Sequence, residues 1–409
     1  MVLTKILAKK GFKSKYRILE MLAYPLRPVR ASLGKEYVLF KGATPYFTDN
    51  SKYLFLYMLM NGFVKKINGY WLAENSKTYN ELHEKRMPVV YSGPKIFLKT
   101  RMVISSTLKS RLEIALGISH FSLWHGIPLK TILWLDKKAK EFYVSGVMKP
   151  VIRFLFFYVL NLADYVLVPS EGLKNIFAKA FQIMSEESLI IAPYPRNIVF
   201  LYDRIPGEEV NAIDLKIPSG YNTILFVPTF REYGGLTIPF KIEDYKRLNK
   251  FCEREKILFL IKLHPVDHDI FATIIKKIRK LNLVNLVFLD PLKDIYPLLR
   301  HVDLLVTDYS SIAYDFLYTG RPMIFYTWDL HRYKSEKGFV LDFKKFTPGP
   351  KVYNFDQFID EIKKILIEDI DRYKNSRKIV GKILWQENFV LSKMKYDALC
   401  KKIISLAEF

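Results

Sequence analysis

The sequence is short of cysteine, of acidic residues and of long apolar runs, and each shortage excludes something. Two cysteines in 409 residues, Cys252 and Cys400, cannot build a disulfide framework or a cysteine-lined metal site. A reduced, cytosolic setting is the expectation that follows. No run reaches the ~18 apolar residues that a membrane-spanning helix needs. The nearest, Val151 to Val168, is broken by Arg153, Asn161 and Asp164, and reads as a buried helix over 145–163 leading into a strand. The N-terminus lacks the continuous apolar stretch of a signal peptide. Internal repeats and low-complexity tracts are also missing.

The acid shortage is the most telling. Against 64 Lys and Arg stand 41 Asp and Glu, a net charge of +23. Such an excess calls for an anionic partner: nucleic acid, an anionic membrane face or a phosphorylated substrate. Lysine on solvated faces accounts for part of it. The basic residues are spread along the chain without a known binding module, so nucleic acid is not expected. What is abundant is core material. Half the residues are hydrophobic and 15% are aromatic, enough for two ordinary domains and little disorder.

Residues 1–35 stand apart. Eight Lys or Arg meet one acid, Glu20, within the first 31 residues, and Leu3, Ile6, Leu7, Phe12, Tyr16, Leu19 and Leu22 interleave at helical spacing. A basic amphipathic segment of this kind either lies on an anionic membrane surface or packs on the first domain with a solvated rim.

From Glu36 onward short apolar runs alternate with helical patterns. Runs at 36–40, 70–74, 88–92, 95–99, 102–106, 120–126 and 164–170 read as strands of a first unit, closed by 188–197. A linker holding Pro206-Gly207 and Pro218-Ser219-Gly220 follows. Runs at 223–229, 257–265, 286–290, 303–307 and 322–326, with helices around 243–255, 271–281 and 295–300, make a second. The fold class expected is α/β: two Rossmann-like, doubly wound domains over 36–200 and 201–365 facing a central cleft. Helices over 366–409 cross back onto the first.

The polar motifs sit at predicted strand ends, where an α/β cleft holds its ligand. His125, in Trp124-His125-Gly126, is either a titrating base or a structural loop histidine. Gly126 permits close approach and Lys130 can face an anion. Thr229 and Arg231 supply a hydroxyl and a planar guanidinium suited to phosphate, or Arg231 pairs with Glu232 or another neighbour. His264 closes another strand, with Lys262 as an alternative phosphate contact. The two histidines lack the spacing and carboxylates of a zinc site, so no metal is expected. Asp308, Ser310 and Ser311 form a polar turn before a helix that Gly320 ends, a seat for phosphate or a plain N-cap. Asp315, one turn further, either accepts from a ribose hydroxyl or faces solvent. Asp329, His331 and Lys337-Gly338 form a later loop near the same cleft.

In this order, WHGIPLK (124–130), VPTFRE (227–232), IKLHP (261–265) and the stretch from Thr307 to Tyr333 resemble the CDP-glycerol glycerophosphotransferases of teichoic-acid synthesis. DNSKYLFLYML (49–59), YPRN (194–197) and residues 337–350 extend the resemblance over most of 36–365. It implies a GT-B enzyme on the cytoplasmic face of the membrane, peripheral and without a cofactor. The donor is CDP-glycerol or another CDP-polyol, and the acceptor a lipid-linked or polysaccharide hydroxyl. It further implies His125 as the base, His264 as a holder of the pyrophosphate, and Arg196 of YPRN among the substrate contacts. Pro193, Ile198 and Lys337 depart from the family's usual glycine, aspartate and arginine, and a large extra domain of some polymerising members has no counterpart. These departures bear on substrate identity and chain extension more than on reaction class. The competing reading is a GT-B glycosyltransferase with a nucleotide-sugar donor, since the same cleft serves both.

Overall fold

The structure, a computed structural model, describes residues 34–136, 162–231, 237–267, 278, 281 and 283–408. The basic N-terminal segment, the helix expected over 145–163 and that over 271–281 fall almost wholly outside these ranges, as does Glu232.

Strands β1 (Tyr37–Lys41), β2 (Gly69–Ala73), β3 (Val89–Tyr91), β4 (Thr100–Ser105), β5 (Ser119–Ser122), β6 (Tyr165–Val168) and β7 (Leu189–Ile191) form one parallel sheet. Its order is β3-β2-β1-β4-β5-β6-β7. A second parallel sheet runs β10-β9-β8-β11-β12-β13. Its members are β8 (Asn222–Val227), β9 (Ile257–Ile261), β10 (Leu286–Phe288), β11 (Leu304–Thr307), β12 (Met323–Tyr326) and β13 (Lys351–Val352). Both are doubly wound, and strand order reverses beside β1 in the first and beside β8 in the second. A crevice opens at each such reversal, outside the strand carboxyl ends. Central strands of parallel sheets are covered on both faces, which is why β9 and β11 read as unbroken buried runs.

Five helices matter for the site. Helix α1 (Asp49–Met60) is buried along nearly its whole length, as its all-round apolar sequence requires. Helix α2 (Arg111–Leu116) opens with a Ser110–Glu113 capping box. Helix α3 (Ile312–Phe316) follows β11. Helices α4 (Lys374–Trp385) and α5 (Lys393–Glu408) bond to residues of both halves. Trp385 Nε1 donates to Tyr314 O at 3.1 Å, Ser170 Oγ to Leu384 O at 2.7 Å, and Tyr57 OH to Asp397 at 2.6 Å.

Three local expectations are corrected. The run 95–99 is the short helix Pro94–Leu98, not a strand, because Pro94 is pre-set for a first helical position. The helix expected over 295–300 is a 3-10 segment, Pro297–His301. The strand read into 120–126 stops at Ser122, and Trp124 already has φ 51°. The two-residue β13 carries too little pattern to be seen in sequence.

One buried cluster is shared by both halves: it joins Phe55, Trp71 and Phe121 to Leu225, Leu305, Tyr296 and Tyr314. At its centre Lys52 Nζ meets Asp294 Oδ2 at 2.9 Å and the carbonyls of Glu208 and Val210, and Tyr53 OH donates to the same carboxylate at 2.7 Å. Lys52 is fully buried. Removing one partner of such a pair strands the other charge and costs about 3–5 kcal/mol. Lys52→Ala is therefore expected to lower the thermal unfolding midpoint clearly. An unchanged midpoint would mean that the pair carries no weight in holding α1 to the second half.

Candidate active site

The loop leaving β5 is held by the head of α1. Asn50 Nδ2 donates to the carbonyls of Trp124 (2.8 Å) and Leu123 (3.4 Å), and its Oδ1 accepts from the Arg196 amide at 3.1 Å. Ser51 Oγ bonds Ser106 Oγ at 2.9 Å, fixing the turn after β4 beside that loop. His125 Nδ1 then lies 3.4 Å from the carbonyl of Ser106. A carbonyl only accepts, so Nδ1 carries the proton and Nε2 keeps its lone pair. The ring has open area at the cleft yet lies among many protein groups. Their burial pushes its pKa below the ordinary histidine value, helped by Arg196 and Lys130 and opposed by Asp49. The imidazole is a neutral base at neutral pH.

His264, just past β9, has the opposite arrangement. Its Nδ1 accepts from the Val266 amide at 3.2 Å, which leaves the proton on Nε2. The ring stacks on Phe230 with centroids 5.9 Å apart. Burial, with Lys130, Lys262 and His125 nearby, takes its pKa down to about 4. The two histidines thus differ, one offering a lone pair and the other an N–H. Lys262 is buried, donates to Pro291 O at 2.9 Å, and is pushed by burial down to about 8, against the pull of Asp294 and Asp290. Lys130, half-buried, forms a backbone bridge to Phe339 of the later loop.

The motif after β8 faces inward. Thr229 Oγ1 and its amide both reach Asp308 Oδ1, at 2.6 and 2.9 Å. Arg231 Nη1 takes Asp308 Oδ2 at 2.8 Å, and its other side forks onto Asp329 at 2.7 and 3.1 Å. The guanidinium packs over Trp328 at 4.4 Å. Burial opposes its charge, and Asp308 and Asp329 outweigh that. Arg231 is 2% exposed and Asp308 fully buried. Of the two expectations for Arg231, the phosphate contact needs correction: its partners are Asp308 and Asp329, as an ion pair with a neighbour would have it, and the guanidinium has no open face for phosphate. Thr229, Arg231 and Asp308 tie the loops after β8 and β11 together.

A similar correction applies to Arg196 and Asp315. Arg196 Nη2 meets Asp315 Oδ2 at 2.6 Å, and Nη1 meets Asp49 Oδ1 at 2.8 Å and the His125 carbonyl at 3.1 Å. Tyr296 OH donates to the same Asp315 oxygen at 2.9 Å. Burial works against the guanidinium charge, and Asp315, Tyr296 and Asp49 more than offset it. Asp315 faces neither solvent nor an open ligand surface. The Arg196 group instead staples the His125 loop to α3.

Ser310 and Ser311 remain half-exposed. Ser310 Oγ accepts from the Ile312 amide at 3.4 Å, whereas Ser311, at the N-cap, makes no capping bond. Five-residue α3 has little dipole to offer, so the two hydroxyls matter more than the helix end. Sequence reading missed Asn50, Ser51, Ser106 and Asp294. The signal was present in Asp49-Asn50-Ser51-Lys52, a polar tetrad heading an otherwise apolar helix. Among the described residues no cluster of His, Cys, Asp and Glu is arranged to hold a metal ion.

Gly126 is where the halves touch. Its φ is 138°, and a Cβ there would lie 2.3 Å from Ser311 Oγ, 2.7 Å from Ser311 Cβ and 3.0 Å from Arg196 Nη2. Gly126→Ala is expected to destabilise by about 1–3 kcal/mol. Adding Ser311→Gly should recover part of that in thermal denaturation, the remainder being backbone strain. No recovery would place the cost in the backbone alone.

Comparison with known proteins bears on this geometry. A teichoic acid glycerol-phosphate transferase of Staphylococcus aureus is 29% identical over 280 residues, 64% of this chain and 65% of its own length. A teichoic acid poly(glycerol phosphate) polymerase of Bacillus subtilis is 28% identical over 346 residues, 79% of this chain and 43% of its own. The chain thus spans under two-thirds of either relative. The solved structure of the wall teichoic acid polymerase TagF, in a CDPG-soaked form, shares the fold. Its TM-score is 0.71 at 19% identity, covering 95% of this chain and 92% of that one. The sequence pattern described as CDP-Glycerol:Poly(glycerophosphate) glycerophosphotransferase matches residues 23–388, and with nine-tenths of the chain inside it, the protein belongs to that family.

Proposed function

We propose that the protein transfers glycerol phosphate, or a similar polyol phosphate, from CDP-glycerol to a hydroxyl of a lipid-linked or polysaccharide acceptor and releases CMP. The observation that carries this reading is a pair of exposed histidines just past strand ends of the two sheets, His125 with Nδ1 on a carbonyl and His264 with Nδ1 on an amide, so that one ring offers a lone pair and the other an N–H. His125 Nε2 takes the acceptor's proton as the hydroxyl oxygen attacks the β-phosphorus. The bond from that phosphorus to the bridging oxygen breaks, and CMP departs with the electron pair. His264 Nε2–H donates to a pyrophosphate oxygen, and we assign Lys130 and the Ser310 and Ser311 hydroxyls to share the charge, with the buried Lys262 acting on it through the field. Catalysis of this kind is positioning plus neutralisation of phosphoryl oxygens.

The relatives' names support a teichoic-acid-like polymer as the product. We assign residues 36–200 to the acceptor and 201–365 to the CDP donor, with 366–409 crossing between them. Among the described residues no helix is long and apolar enough to cross a membrane. A peripheral seat on the cytoplasmic membrane face, with residues 1–35 on anionic lipid, completes the proposal.

The test is CMP release by purified protein offered CDP-glycerol, CDP-ribitol and UDP-sugars with a lipid-linked acceptor. CMP from a CDP-polyol is expected. UDP from a sugar donor would favour the nucleotide-sugar glycosyltransferase instead. His125→Ala should abolish turnover while calorimetry still detects CDP-glycerol binding, and His264→Ala should weaken that binding. The pH profile carries a sign. The base is active when unprotonated and its pKa is lowered, so the rate should hold through neutral pH and fall only below the ordinary histidine range. An acid limb at or above that range would count against His125 as the base.

A further inference from the structure

Five residues before His125 lies a second histidine that the reaction does not use. His120, on β5, is 1% exposed, and so is its partner Glu113 on α2. Its Nδ1 sits 2.5 Å from Glu113 Oε2. The same carboxylate closes the α2 capping box, accepting from the Ser110 amide at 3.3 Å and the Ser110 hydroxyl at 2.7 Å. Burial alone would raise the Glu113 pKa, but His120, Lys41 and Ser110 take it down to about 2. The carboxylate therefore stays ionised, can only accept, and fixes Nδ1 of His120 as a donor.

The other edge of this ring reaches the turn after β4. His120 Nε2 is 3.1 Å from both Ser105 Oγ and the Thr107 carbonyl. Ser105 Oγ also accepts from the Thr107 amide at 3.1 Å. The residue between them is Ser106, whose carbonyl sets the tautomer of His125. The turn is thus gripped from beneath by His120, from the side by Ser51, and used from above by His125. Asp164 holds the His120 backbone, its Oδ2 accepting from that amide at 2.7 Å, and Lys109 neutralises it at 2.6 Å. The groups facing the His120 ring or the strand that carries it are then Glu113, Lys41, Asp164 and Lys109.

We propose that Glu113 and His120 are positioning residues for His125: they anchor the Ser105–Thr107 turn so that the Ser106 carbonyl selects the Nδ1–H tautomer and leaves Nε2 free toward the cleft. The hydrogen bond that makes this selection is long, at 3.4 Å, so a small shift of the turn is enough to lose it. Only a lone pair on Nε2 can take a proton from an acceptor in the cleft. The proposal rests on the reading of His125 as the base.

The experiment uses the full chain labelled with ¹⁵N-histidine. Long-range proton–nitrogen spectra report the His125 tautomer, assigned by its loss in His125→Ala, alongside kcat and KM for CDP-glycerol. His120→Leu removes both contacts, His120→Gln can keep a polar group on the turn, and Glu113→Gln removes only the charge. In the wild type His125 is expected as Nδ1–H. In His120→Leu the Nε2–H form should become populated and kcat should fall about 100-fold, the scale of a misplaced catalytic group, with KM nearly unchanged. His120→Gln should restore much of both readouts, and Glu113→Gln should fall between. An unchanged tautomer in His120→Leu and in Glu113→Gln overturns the proposal, whatever the activity. Full activity of His125→Ala overturns the base assignment instead, and the tautomer measurement still decides whether the turn is anchored as described.

Discussion

Charge buried at the seam between the two sheets is the constraint on which the rest depends. Arg196 joins Asp49 at the head of α1 to Asp315 on α3, and three residues further along α1 Lys52 joins Asp294. Asp49 keeps some exposure, but Arg196, Asp315, Lys52 and Asp294 are buried away from water, so opening either buried pair strands a charge. The site inherits that rigidity. The His125 loop hangs on Asn50 and Arg196, and its glycine lies against Ser311 of the other half. A cleft built this way has its reacting groups placed before any ligand arrives, which is what charge-neutralising catalysis requires.

Much of the architecture was legible because parallel strands buried on both faces leave continuous apolar runs. β8, β11 and β12 lie where such runs predicted them, to within two residues, and β9 starts where predicted but ends four residues early, at Ile261. The misreadings have local causes. The run at 95–99 holds three consecutive apolar residues like a short buried strand, but Pro94 starts a helix, and the strand proper begins at Thr100. Trp124 and His125 looked like a continuation of β5 because both are bulky and strand-prone, and only the following glycine hinted that the chain turns away.

The site was legible at its two histidines and less so at its charges. A motif read along the chain cannot distinguish an arginine that meets phosphate from one that meets aspartate. Arg231 and Asp308 are 77 residues apart, Arg196 and Asp315 are 119, and Lys52 and Asp294 are 242. Arg231, Asp308, Arg196 and Asp315 stood out as polar residues of motifs, Lys52 and Asp294 did not, and in every case the partner that satisfies the charge was out of view. The excess of positive charge made an anionic ligand the natural guess for Arg231.

The hydrophobic cluster running through α1 from the first sheet into the second has a consequence for how such a protein can be altered. A chain with two sheets invites the idea of interchangeable cassettes, one half for each substrate. Here neither half is self-sufficient: cut at the linker, the first would expose Lys52 without Asp294, and the second would expose Asp315 without Arg196. Swapping halves between relatives would have to carry α1, the Arg196 segment and the returning C-terminal helices together. Substrate range is therefore more open to change at the loop tips around the histidines than by exchange of whole sheets.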